Sequence, residues 1–260
     1  MAETPLDAAH RAMEAAPDDD AARLRFFDRL AGAELLLLLA AEAEGDAVMP
    51  EVFEVEGASF VLAFDTEERL SAFTGRISPY AALSGRAMAA MLAGKGLGLA
   101  LNPEVAASAF LMPPEAVAWL AETLMARPSE DEARPSRLSP PAGLPEVLLT
   151  ALDAKLASAQ GLARHAWLAA VTYEDGREGH LLGFVDALPG AEPGLARAAG
   201  EALTFSGVEA GELDVAFFLA SDPVTARLAR VGLRFDLPQP EAAPGPAAPG
   251  TDPDRPPRLR

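Results

Sequence analysis

The segment covering residues 53–103 alternates short apolar runs with residues that begin and end helices. The runs at residues 59–64 and 97–101 have strand length, and the helical patterns between them end at Gly75 and Gly94. Alternating strands and helices favour a sheet covered by helices, because each amphipathic element must bury its apolar side against another element. This segment therefore favours an α/β fold for the first half of the chain.

Capping residues mark the starts of several helices. Thr4, Pro5 and Asp7 predict a helix over residues 4–16, with a cap hydroxyl, a proline in the first turn and an acid at the third helical position. Asp65 followed by Glu68 matches a capping box, which predicts Asp65 as the cap of a helix over residues 66–74. Apolar periodicity after each start supports the helical reading.

Prolines divide the chain. Residues 126–145 lose apolar periodicity and carry Pro128, Pro135, Pro140, Pro141 and Pro145, which predicts a linker. Strand and helix patterns return over residues 146–237, and residues 238–260 are rich in proline, alanine and glycine, which predicts a disordered tail. The sequence thus predicts two small α/β domains, residues 1–125 and 146–237, each with a mixed sheet covered by helices.

The charge balance narrows the choice of partner. The chain has 39 acidic and 21 basic residues, a formal net charge of −18 at pH 7. Such a charge repels the phosphate groups of nucleic acids and anionic lipid surfaces. We therefore expect a protein or a small molecule as the partner, with neither nucleic acid nor membrane; the oligomeric state stays open.

Cysteine usage and the first residues bear on the compartment. The chain contains no cysteine, so thiol nucleophiles, disulfides and thiolate-bound metals are excluded. Its first residues carry acids where a signal peptide has a basic start and an apolar run. The run at residues 35–41 is far shorter than the roughly 20 residues of a membrane-spanning helix. We therefore expect a cytoplasmic protein.

Motifs for catalysis are incomplete in this sequence. Lys95 lies among glycines, but the spacing matches neither a phosphate loop nor a dinucleotide-binding turn. The histidines His10, His165 and His180 lack the spacing of a metal site. Ser84 lacks the glycine that precedes a nucleophile elbow and is better explained as a helix cap. The sequence therefore predicts no catalytic residue, no metal site and no cofactor.

A candidate interaction surface is formed by Arg76, Tyr80 and Arg86. Arginine and tyrosine are enriched where interfaces bind most strongly, and arginine donates two hydrogen bonds to a carboxylate. In a chain this acidic, two cations near a tyrosine indicate an anionic contact. The alternative interpretation is ordinary balancing of surface charge.

Residues 33–124 resemble a known bacterial family in FEVEGASFVLAFDTEERLSAF, PYAALSGRAMAAML and GLGLALNP. The resemblance is to the N-terminal domain of the SseB family, named for enhanced serine sensitivity. The later pieces LLGFVDA, EALTFSGVEAGELDVAFFLASDP and GLRFDLP are similar to the C-terminal region of that family. The resemblance implies an α/β fold, and it transfers no reaction, cofactor or catalytic residue to this chain.

Three functions agree with these observations. The first is a non-catalytic module that binds a protein or a small molecule. The second is a hydrolase or transferase whose carboxylates converge only in the folded chain. The third is a structural subunit of an assembly. A deep pocket with buried, converging acids would favour the enzyme, whereas an exposed apolar patch without such a pocket would favour the binding module.

Overall fold

The structure is a computed structural model that describes residues 2–42, 48–55, 57–126, 133–208 and 213–239. Within these residues the chain forms two mixed sheets with helices on their faces, which confirms the predicted fold class. The first half contains α1 (Pro5–Glu14), α2 (Asp20–Gly32), β1 (Glu34–Leu38), β2 (Val52–Val55), β3 (Ala58–Phe64), α3 (Glu67–Thr74), β4 (Tyr80–Ser84), α4 (Gly85–Leu92), β5 (Leu97–Leu101), β6 (Phe110–Met112) and α5 (Pro114–Met125). The second half contains β7 (Pro135–Ser139), α6 (Glu146–Ala157), β8 (His165–Tyr173), β9 (Glu178–Val185), α7 (Glu192–Ser206), β10 (Leu213–Phe218), α8 (Pro223–Val231) and β11 (Leu233–Asp236).

The first sheet has the strand order β4-β1-β3-β5-β6, with β2 added beside β3. Strands β3 and β5 are parallel, and the other pairs are antiparallel. Helix α3 covers one face, while α1, α2, α4 and α5 cover the other. Because both faces are covered, the interior strand β1 is apolar without alternation from Leu35 to Leu38.

The second sheet has the strand order β10-β9-β8-β11, with β7 added beside β8. Strands β9 and β10 are parallel. Helices α6 and α7 pack on one face, and α8 packs on the other. A Cβ atom at Gly183 would lie 2.9 Å from Leu228 Cδ1, so glycine allows α8 to pack closely on β9.

The segment predicted as a linker contains a strand. Strand β7 pairs with β8, and Ser136 Oγ donates a hydrogen bond of 2.8 Å to the carbonyl of Thr172. Proline is tolerated there because Pro135 begins a strand at the margin of the sheet. Residues 135–139 therefore belong to the second sheet. Residues 127–132, and residues 240–260 of the tail predicted over 238–260, lie outside the described residues, and the division into two domains stays a prediction.

The described residues of the two halves pack directly against each other. Phe205 of α7 is buried in the core of the first half, and its ring lies 6.4 Å from that of Trp119, edge to face. A Cβ atom at Gly207, whose φ is +68°, would lie 2.7 Å from Cβ of Ala21. Helix α7 thus links the second sheet to the first half.

Local signals fixed most helix ends but misassigned one cap. Thr4 Oγ1 accepts from the amide of Asp7, as the predicted cap hydroxyl requires, and the Asp7 carboxylate accepts from the amide of Thr4, which completes a capping box. The prediction that Asp65 caps α3 is wrong: Thr66 is the cap and accepts from the amide of Arg69 at 3.2 Å. Asp65 is instead occupied by side-chain contacts. Among the described residues, every helix falls short of the length and apolarity needed to cross a membrane.

Candidate functional site

A cluster of buried polar side chains lies where β3 and β5 end. We call Asp7, Asp65, Arg69, Asn102 and Ser108 the sealed cluster. The parallel strands bring Asp65 and Asn102 together, and the amide of Asp65 donates to Asn102 Oδ1 at 3.1 Å. Arg69 Nη1 donates to Asp65 Oδ1 at 2.7 Å, and its Nη2 donates to Asp7. Ser108 Oγ donates to the other oxygen of Asp7.

The sealed cluster is closed to ligands. Arg69 is 4% exposed, and Asn102 and Ser108 are fully buried. Burial by itself raises the pKa of Asp7, but hydrogen bonds from Arg69 and Ser108 outweigh burial and hold that pKa far below its usual value. The carboxylates of Asp7 and Asp65 converge, as the enzyme alternative requires, but both are already paired with Arg69. The sealed cluster therefore holds α1 against the sheet.

A second ionic cluster lies between the two halves. We call Asp28, Arg86, Lys155 and Glu201 the junction cluster. Glu201 of α7 accepts from Arg86 Nη2 at 2.8 Å and from Lys155 Nζ at 3.1 Å. Lys155 also pairs with Asp28 of α2, and Arg86 Nη1 donates to the carbonyl of Leu124 at 3.2 Å. These contacts tie α2, α4 and α5 of the first half to α6 and α7 of the second.

Electrostatics favour the charged form of Glu201. Its side chain is 6% exposed, and burial by itself raises its pKa. The hydrogen bond from Arg86 and the charge of Lys155 outweigh burial, so the pKa lies below its usual value. Arg86 differs from Arg69 because its side chain is 38% exposed. The junction cluster is thus open to solvent on the side of Arg86.

Arg86 opens into a groove of about 440 Å³ between α4, α5 and α7. We call it the arginine groove; its lining residues are Ser84, Arg86, Ala87, Ala90, Ala121, Leu124, Met125 and Arg197. Its walls are largely apolar, and both of its charged residues are cations. Among the described residues, Arg197 is exposed and has no hydrogen-bond or ion-pair partner. A second groove, of about 390 Å³, lies beside Leu144 and Leu233 and has no charged lining residue.

The predicted surface residues lie in or beside β4, a terminal strand of the first sheet. Tyr80 begins β4, is 41% exposed and donates to Glu67 Oε1 at 2.6 Å. This hydrogen bond and the charge of Glu67 raise the pKa of Tyr80. Arg76 is exposed shortly before the strand, and Arg86 follows its other end. The length of β4, roughly 13 Å at about 3.3 Å per residue, separates Tyr80 from Ser84, so the three residues are not one compact cluster.

Sequence reasoning missed the residues that complete the arginine groove. Arg197 and Glu201 are one helical turn apart on α7, so their spacing places both on one face of that helix. Nothing local, however, indicates that this face meets α4, which lies 115 residues earlier at the contact between Arg86 and Glu201. The one signal in the sequence was Glu201 itself, an acid between Gly200 and Ala202 in the later part of α7.

The other sequence candidates have structural roles where the structure describes them. Ser84 Oγ accepts from the amide of Ala87 at 3.2 Å and caps α4, as predicted. His10 is buried against Phe26 and Phe110. His165 is buried beside Trp167, and burial lowers its pKa. Within the described ranges there is no group of three or more histidine, aspartate or glutamate side chains placed to hold a metal ion.

Most of the first half of the chain matches a known protein family. The model described as the SseB protein N-terminal domain matches residues 6–119. Residues 6–119 of this chain are an SseB N-terminal domain. The match contains the sealed cluster, β4 and the α4 side of the arginine groove, whereas the lining residues of α5 and α7 lie outside the matched range. The similarity of the second half to the SseB C-terminal region stays a prediction. Neither curated proteins nor solved structures give a match.

Proposed function

We propose that this SseB-domain protein is a non-catalytic binding module for a carboxylate-bearing protein or small molecule. Its binding surface comprises the arginine groove and the adjoining strand β4, with Arg76, Tyr80 and Arg86 along it. The observation that carries the proposal is Arg197, an exposed cation without a described partner, beside Arg86 in an apolar groove. Two arginines in such a groove supply charge-assisted hydrogen bonds to an anion.

The size and charge of the groove support this proposal. Its volume of about 440 Å³ falls in the range of small-molecule sites, roughly 300–1,000 Å³. The net charge of −18 repels anions elsewhere on the chain, so a locally cationic groove selects where an anion binds. The same charge disfavours nucleic acid and anionic lipid as ligands, and we propose that the protein works in the cytoplasm, the compartment that the sequence predicts.

A carboxylate titration tests the proposal. Glutarate, with neutral glutaramide as its isosteric control, is added to the full chain while backbone and arginine side-chain resonances are followed by NMR. We expect saturable shifts at Arg197, Ala87 and Met125 with glutarate, and none with glutaramide. Arg197→Ala should weaken binding about ten-fold or more, because a charge-assisted hydrogen bond contributes about 1.5–3 kcal/mol.

Arg230→Ala is the matched control. Arg230 is also an exposed helical arginine, but it lies on α8, on the opposite face of the second sheet from α7. The Arg230→Ala variant should bind glutarate like the wild type. Equal binding by Arg197→Ala and the wild type, equal shifts with glutaramide, or no saturable shift in the groove would each overturn the proposed site.

A further inference from the structure

We propose that the free edge of β4 receives an extended peptide segment of another protein by strand addition, with an acidic side chain of that peptide in the arginine groove. The proposal rests on the function proposed above and names its ligand. It combines two independent features: an unpaired strand edge and a cationic groove that begins where this edge ends.

Strand β4 has one paired edge and one free edge. It pairs with β1 and ends the strand order of the first sheet within the described residues. The carbonyl of Pro79 accepts from the amide of Leu39, and the amide of Gly85 donates to the carbonyl of Ala33. The odd-numbered residues of this stretch therefore direct their backbone groups toward β1. Because the direction alternates along a strand, the backbone groups of Tyr80, Ala82 and Ser84 point away from β1. We call these three residues the β4 edge.

The β4 edge lacks the usual protection against strand addition. Natural proteins shield a free edge with lysine, proline, an inward charge, a bulge or a very short strand. The sequence of β4, YAALS, has no charge and no proline, and its pairing with β1 shows no bulge. At the other end of this sheet, β6 has only three residues. In the second sheet, the terminal strand β10 carries Asp214.

Solvent exposure agrees with a docking role for the β4 edge. Tyr80, Ala82 and Ser84 are exposed, whereas Ala81 and Leu83 pack against the core of the first half. Ile77, just before the strand, is fully exposed. An added strand would therefore gain backbone hydrogen bonds along β4 and apolar contacts with Ile77 and the Tyr80 ring.

The arginine groove specifies the chemistry of the peptide. Ser84 is both the last residue of the β4 edge and a lining residue of the groove. A peptide that extends past Ser84 therefore reaches Arg86 and Arg197. In a chain of charge −18, these cations favour an acidic side chain at that end of the peptide. A second copy of this acidic chain would meet like charge, so we commit to a peptide of another protein.

The test uses peptides selected from a random library displayed on phage against the full-length wild-type chain. Selected peptides are synthesised and their affinities are measured by calorimetry. We expect enrichment of β-prone peptides with an acid at one end. An unenriched library, or enriched peptides without an acid, would overturn the proposal.

Two variants at one position then test strand addition. Ala82→Pro removes an amide that points to solvent and blocks the edge, a substitution that edge strands tolerate. Ala82→Thr keeps the amide and changes only the exposed side chain. Both should melt like the wild type. We expect at least ten-fold weaker peptide binding for Ala82→Pro and nearly unchanged binding for Ala82→Thr.

The outcomes separate strand addition from the groove. If Ala82→Pro binds the peptide like the wild type while Arg197→Ala binds it weakly, strand addition is wrong and the groove stands. If neither variant weakens binding, both proposals fail. A dimer of the free chain, seen by sedimentation and abolished by Ala82→Pro, would make a second copy the occupant and overturn the peptide proposal.

Discussion

The sealed cluster and the junction cluster have similar compositions and different surroundings. In each cluster an arginine pairs with an acid from a distant part of the chain, Arg69 with Asp7 and Arg86 with Glu201, and each pair holds a helix in place. Arg69 is 4% exposed and pairs with two carboxylates, whereas the Arg86 side chain is 38% exposed and lines a groove with a second arginine. Exposure and surplus charge, and not the ion pair itself, therefore distinguish the proposed binding site from a structural contact.

The largest expected effect separates the two arginines by stability. Arg69→Met leaves the carboxylates of Asp7 and Asp65 buried without their cation, which should cost about 3–5 kcal/mol of unfolding free energy. Arg86→Met leaves Glu201 paired with Lys155, so it should cost about 1–3 kcal/mol. Urea denaturation of both variants measures the difference. Equal costs would contradict the contrast between the two clusters.

An acid titration sharpens the same comparison. The pKa of Asp7 is lower in the folded chain than the roughly 3.9 of an unfolded aspartate. The charged form therefore stabilises the fold above about pH 5, and this contribution is lost as the pH falls below the unfolded pKa toward the folded one. Asp7→Asn should lose most stability near neutral pH, and its difference from the wild type should shrink on acidification. Thermal melts from neutral pH to pH 3 measure it; a difference that grows on acidification would contradict the sign.

The smallest expected effect tests the corrected cap of α3. Thr66→Ala should cost about 1 kcal/mol, because the amide of Arg69 loses its acceptor, and Thr66→Ser should retain most of that stability. Asp65→Ala should cost more than Thr66→Ala, since it removes a buried partner of Arg69. Chemical denaturation compares the three variants. If Thr66→Ala leaves the stability unchanged, and Asp65→Ala lowers it while Asp65→Asn does not, Asp65 would be the cap after all.

Local sequence relations predicted much of the fold. The capping box at Thr4 and the cap at Ser84 depend on residues three positions apart, and both were confirmed. Gly75 takes φ of +65° at the end of α3, a conformation that glycine adopts without strain. The misassigned cap of α3 shows where local sequence relations fail. Asp65 and Thr66 are neighbours and both can cap a helix, and only the pairing of Asp65 with Arg69 leaves Thr66 as the cap.

The sequence alone determined most of the helices, the class of fold and the acidic charge, because apolar periodicity, caps and composition are local or additive properties. It also drew attention to Arg86. Tertiary structure decided what Arg86 does, since its partner Glu201 is 115 residues away and Arg197 reaches the groove only because α7 packs on the first half. Tertiary structure also decided that residues 135–139 form a strand, because β-pairing depends on a partner strand that local sequence does not identify.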